Sequence, residues 1–148
     1  MQAKVKINFS FAKLASALPK ILDKTLSRYA RSSAKGAKAN IDKGVSPPLK
    51  QSTIDIRKSK GITGTKPLFE TGNLHRSIKA KDKAILMADY GFKHHKGFIT
   101  GSSAVFKGVK VPARPFIEPD KKAILTVIDA FKKDINKNFR KWYVKQRI

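Results

Sequence analysis

The chain has 148 residues, a length that suits one domain with a modest core and no covalent staples. It contains no cysteine, which excludes a disulfide framework, a thiolate nucleophile and a thiolate metal site. Lysine and arginine number 33 against 10 acids, so the net charge is +23, a balance that points to polyanionic partners but does not specify a fold.

The lysines run from Lys4 to Lys145 with no single cluster, so a solvated surface facing acidic neighbours accounts for them as well as nucleic acid does. Charges interrupt every apolar step of Met1-Gln2-Ala3-Lys4-Val5-Lys6-Ile7, and no run approaches the roughly 18 apolar residues of a membrane span. The expectation is a soluble chain with no targeting segment and no membrane partner.

Val5, Ile7 and Phe9 alternate with polar residues, which predicts a strand over 3–10. From Phe11 the period lengthens. Leu14, Leu18, Ile21, Leu22, Leu26 and Tyr29 recur at three- and four-residue steps, the stripe of a long helix reaching about Asn40 and bent or restarted near Pro19. Residues 31–44 turn small and polar, so the end of this helix is expected to be exposed, and Gly44 with Pro47-Pro48 stops it.

A short helix is predicted over Leu49 to Lys58, followed by a loop from Gly61 to Lys66. Thr71 is placed to cap a short helix beginning Gly72-Asn73, with Leu74 and Ile78 on one face. Ala80 to Tyr90 reads as a strand, and Lys79, Lys81 and Lys83 lie on one side of that stretch. Gly97 to Val111 reads as a flexible arm or open hairpin turning at Gly101-Ser102-Ser103, in which Val105, Val109 and Val111 share a parity. A final helix from Pro119 to about Tyr143 carries Ile124, Leu125, Ile128, Phe131, Ile135 and Phe139 as its apolar stripe. These elements make a single α+β domain over 1–148: a small, mostly antiparallel sheet packed by the long N-terminal helical region and the amphipathic C-terminal helix.

Motifs for chemistry are sparse. His75, His94 and His95 have no clustered acids beside them, and adjacent histidines on a strand point to opposite faces, so no metal and no cofactor is expected. Asp82 and Asp89 form the best carboxylate pair and lack a companion base. Gly97-x-x-x-Gly101 is not followed by Lys-Ser/Thr. The sequence argues against an enzyme. Phe92-Lys93-His94-His95-Lys96 with Phe98 comes nearest to interleaved aromatic and basic residues, without a recognised nucleic-acid motif around it.

Four segments stand out in order: Pro48-Leu49-Lys50-Gln51-Ser52-Thr53-Ile54; Lys66-Pro67-Leu68-Phe69-Glu70-Thr71-Gly72-Asn73-Leu74 with Ser77-Ile78; Tyr90 to His95 with Gly97; and Pro112-Ala113-Arg114-Pro115-Phe116. Their succession over roughly 45–120 resembles the tail-completion or virion-morphogenesis family of tailed phages, Mu-like members included. The chain differs from that pattern in having Val45-Ser46-Pro47 where a tryptophan often stands, and in being more basic.

The resemblance implies a structural protein of the virion neck or tail end, assembled in the host cytoplasm as a homohexameric ring that meets tail-tube and head-connector proteins. Some relatives are described as tail terminators, others as head–tail joining proteins. The residues themselves fit an arm returned by a stiff proline elbow, with Arg114 as an ion-pairing fork and Phe116 anchoring the return. Expected subunit or partner contacts are Leu74, His94, His95, Val105, Val109, Val111, Arg114 and Phe116. Expected contacts to DNA or acidic partners are Lys79, Lys81, Lys83, Lys93, Lys96, Lys107 and Lys110. The competing reading is a small basic DNA-binding or packaging accessory protein.

Overall fold

The computed structural model describes residues 11–102, 104, 107–119 and 121–144. The strand expected over 3–10, together with Ser103 and Val105, lies outside the described residues.

The apolar period that begins at Phe11 becomes one helix, α1 (Phe11–Lys43), which runs through Pro19 without a break. The two ends of α1 are used differently from the sequence expectation. Leu22, Leu26 and Tyr29 stay between 42 and 47 % exposed, whereas Ala30, Ser33, Ala34, Ala37 and Ile41 from the small, polar half are buried. Short side chains let the helix backbone approach its neighbours closely, so this half enters the core, while in the first half Leu22, Leu26 and Tyr29 face outward and Ile21 is buried.

After the cis Ser46–Pro47 peptide comes α2 (Gln51–Ser59), two residues later than expected. Helix α3 (Asn73–Ser77) begins from Gly72 in left-handed conformation, with no side-chain cap, so Thr71 does not cap it. The expected strand from Ala80 to Tyr90 is three pieces: β1 (Lys79–Lys81), β2 (Ala84–Leu86) and the start of α4 (Asp89–Lys96). Strands β1 and β2 pair antiparallel, with Ala80 opposite Ile85, across a two-residue turn in which Asp82 has φ 53°. Aspartate tolerates that region better than most residues, which is why the chain reverses there. Asp89 then sits in the first turn of α4, where a negative charge meets the helix dipole.

Strands β3 (Phe98–Ile99) and β4 (Lys110–Val111) form a second antiparallel hairpin, and α5 (Lys121–Val144) closes the chain. The result is an α+β fold in which the described residues form two small two-stranded sheets instead of one.

Helix α5 packs antiparallel along α1. Gly36 lies against Glu118 and Pro119, while Arg28, two turns earlier, pairs with Asp134 at 2.6 Å. Lys24 joins the same carboxylate at 3.4 Å. On α5, Ile124, Phe131 and Ile135 are half-buried, but Leu125 and Ile128 are 60 and 41 % exposed. Two of the five stripe residues with described side chains therefore face outward, while Ala123, Val127 and Ala130 share the covered side.

The core joins Ala34, Ala37, Ile41 and Val45 to Leu74, Ile78 and Phe116. Full burial of Ile41, Ile78 and Phe116 contributes about 1.5–3 kcal/mol each. These contacts fix the start of α3 and the 112–116 segment onto the C-terminal half of α1.

Candidate functional site: a cleft at the proline elbow

Pro112-Ala113-Arg114-Pro115-Phe116 is pinned at Arg114 and at Phe116. The Arg114 backbone N–H donates to the His94 carbonyl at 3.0 Å, and its Nε donates to the Pro47 carbonyl at 2.9 Å. One Arg114 Nη reaches the Pro48 carbonyl at 3.4 Å. Phe116 is fully buried, its N–H donates to His95 Nδ1 at 3.2 Å, and its carbonyl accepts from Asn40 Nδ2 at 3.1 Å.

Gly97 ends α4 with φ 76°, and a Cβ there would stand 2.7 Å from the Ala113 nitrogen, so only glycine allows the strand to leave beside the elbow. Gly91 makes room on the other side of α4, where a Cβ would meet Leu74 Cδ1 at 2.7 Å.

Beyond the elbow, the β3–β4 hairpin extends through Thr100, whose N–H donates to the Val109 carbonyl at 3.0 Å. Ile99 is 68 % and Val109 45 % exposed, so this hairpin presents apolar side chains to its surroundings.

Between hairpin and elbow opens a cleft of about 720 Å³. Pro48, Leu49 and Thr53 line it from the first segment, Leu68, Glu70 and Leu74 from the second, Tyr90 and His94 from the third, and Pro112 and Arg114 from the fourth. All four segments singled out in the sequence thus face one space. Leu68 holds φ 63°, an uncommon backbone state for a leucine, in the turn where the Phe69 N–H reaches the Lys66 carbonyl.

The cleft is electropositive. Arg57, from α2, is 6 % exposed and Arg114 is 7 % exposed. Lys50 and Lys110 are exposed at the rim. Arg57 donates to the carbonyls of Gly64 and Lys66, both at 3.0 Å, which ties down the 60–66 loop. Its other Nη stands 3.8 Å from Glu70, too far for a hydrogen bond, and its Nε is buried without a partner among the described residues. Burial, then repulsion from Arg57, lowers the Arg114 pKa from the usual guanidinium value. Burial and the Arg114 charge together hold His94 below the ordinary histidine value, and its Nδ1 is likewise enclosed and unpartnered.

Sequence reasoning missed Arg57. Only seven of the 33 basic residues are arginine, so an arginine within a lysine-rich chain was the available signal that a planar fork is used there.

The other expected site residues fall into three places. Leu74 (3 % exposed) and Phe116 belong to the chain's own core, and Arg114 spends its fork on backbone carbonyls instead of a carboxylate. His94 and His95 sit on a helix, not a strand, and both face inward contacts. His95 lies edge-on to Phe116 at 5.5 Å, and His94 edge-on to Phe98 at 5.2 Å. Val109 and Val111 remain at the cleft and hairpin. Lys79, Lys81, Lys93 and Lys107 are exposed, as are three with contacts or a site of their own. Those three are Lys83, paired with Asp23 at 2.5 Å, Lys96, 4.6 Å over the Phe92 ring, and Lys110 at the rim.

Comparison with models of protein families, with curated proteins and with solved structures finds no match. Among the described residues there is no group of three or more histidines and acids that could hold a metal ion, and no helix long and apolar enough to cross a membrane.

Proposed function

We propose that this chain is a structural protein of a tailed phage or prophage-like particle, a tail-completion or neck component that works as a homohexameric ring between the tail tube and the head connector. The observation that carries the reading is the convergence of the four resembling segments, separated by up to about 65 residues in sequence, on one cleft and one pinned elbow. A device built to hold a projecting hairpin at a fixed angle suits joining more than catalysis.

Two further features support it. The β3–β4 hairpin carries Ile99 and Val109 outward, and α1 and α5 leave Leu22, Leu26, Leu125 and Ile128 uncovered. A head-to-tail ring requires two different surfaces per subunit, and these apolar faces on opposite parts of the chain meet that need. Six copies at +23 each repel one another strongly, so a ring needs DNA in its channel or acidic protein around it.

The second reading, a small basic DNA-binding or packaging accessory protein, draws on the exposed lysines. Negative-stain images of the purified protein, alone and with tail tubes, separate the two. Six-fold rings or capped tubes are expected; a protein that coats duplex DNA and never closes or caps tubes refutes the neck reading.

A further inference from the structure

The cleft contains a guanidinium whose strongest pairing edge is only loosely engaged, by Glu70 at ion-pair distance. Nε and one Nη of arginine lie side by side and take both oxygens of a carboxylate. On Arg57 the Nε has no partner among the described residues, and the Nη near Glu70 lies beyond hydrogen-bond reach at 3.8 Å. A second buried guanidinium, Arg114, lines the same space, and Lys50 and Lys110 add charge at the mouth. Glu70 is the one carboxylate on the lining among the described residues, and it is half-exposed. A buried donor left unpaired is destabilising, and a visiting acceptor relieves that cost.

We propose that this cleft seats an acidic side chain from an extended segment of a partner protein: its carboxylate completes the Arg57 edge, and its apolar neighbours lie against Pro48, Leu49, Tyr90 and Val111. The inference deepens the assembly reading and rests on it for the source of the segment, a tail or connector protein.

Duplex DNA fits poorly. Its phosphates lie on a stiff rod and cannot descend to guanidiniums that are 6–7 % exposed, and the apolar wall offers nothing to a phosphodiester. A second copy of the chain also fits poorly, because with 10 acids and a charge of +23 it brings repulsion to a basic mouth.

The test is fluorescence anisotropy with a labelled nine-residue peptide alternating aspartate with leucine and phenylalanine, its asparagine counterpart, and a polyaspartate peptide, at physiological salt. The aspartate–apolar peptide is expected to bind at least about tenfold more tightly than either control, a difference of about 1.4 kcal/mol.

Glu70→Gln removes the internal competitor and is expected to tighten binding several-fold. Lys50→Glu with Lys110→Glu, both exposed, weakens it, and the charge-matched Lys132→Glu with Lys133→Glu, exposed on α5 and away from the cleft lining, leaves it unchanged. Equal affinity for the aspartate and asparagine peptides, equal loss in the two charge-reversed pairs, or displacement of the peptide by an excess of duplex DNA overturns the proposal. Negative-stain images of the same samples keep the two claims apart: rings without selective peptide binding refute the cleft alone, and selective binding without rings refutes the neck reading alone.

Discussion

Arg114 serves as a clamp rather than an outward ion pair. It joins the cis-proline segment to the elbow through two backbone carbonyls while lying near a second guanidinium. Lysine offers a point charge where a fork is needed, so Arg114→Lys is expected to lower unfolding stability by about 1–3 kcal/mol in urea denaturation. His94 makes stability depend on pH. Its folded pKa lies below the ordinary 6.5, mainly through burial and then through Arg114, so on acidification the unfolded chain takes up a proton before the folded one does. Stability present above pH 6.5 is therefore lost as pH falls from there through the folded value. The midpoint temperature is expected to drop between pH 7 and 5 in the wild type and to drop less in His94→Phe, which keeps an aromatic ring between Tyr90 and Phe98. Arg114 and Phe116 were legible in sequence as a stiff, anchored elbow, because prolines on both sides of an arginine restrict backbone whatever surrounds them. The direction of the Arg114 side chain was not legible, since its acceptors belong to Pro47 and Pro48, more than 60 residues away.

Among the elements, α1 and α5 were legible from their apolar period, and the short helix at Gln51–Ser59 nearly so. The half of α1 that enters the core was not. Periodicity weights large residues, while Ala34 and Ala37 are buried because they are small. Ser33 shares that burial, and its hydroxyl has no partner among the described residues. Ser33→Ala is therefore expected to raise the unfolding free energy by about 1 kcal/mol, read from a higher urea midpoint, since it removes an unpaired buried hydroxyl and adds the best helix former. The 80–90 strand was misread because a two-residue turn at Asp82-Lys83 fits inside an alternating pattern without disturbing it. The β3–β4 hairpin is the element on which the assembly reading depends. Ile99→Thr with Val109→Thr, both at exposed positions, is expected to change stability by less than about 0.5 kcal/mol and to abolish ring closure or tube capping, measured by calorimetry and negative stain respectively.

For the whole molecule, charge and shape point the same way. A chain at +23 with an outward apolar hairpin and uncovered helix faces is poorly suited to remain alone and well suited to a polyanionic setting. Contact between the exposed lysines and DNA is expected to weaken steeply as salt rises from 50 to 200 mM, while docking of an acidic segment in the half-enclosed cleft falls less, a contrast measured by anisotropy with the two ligands side by side. The most direct measurement is cryo-electron microscopy of the protein assembled on tail tubes. The account predicts a closed six-fold ring in which each β3–β4 hairpin lies against the next copy. Density with the hairpin folded back on its own subunit, touching no other polypeptide, would contradict it.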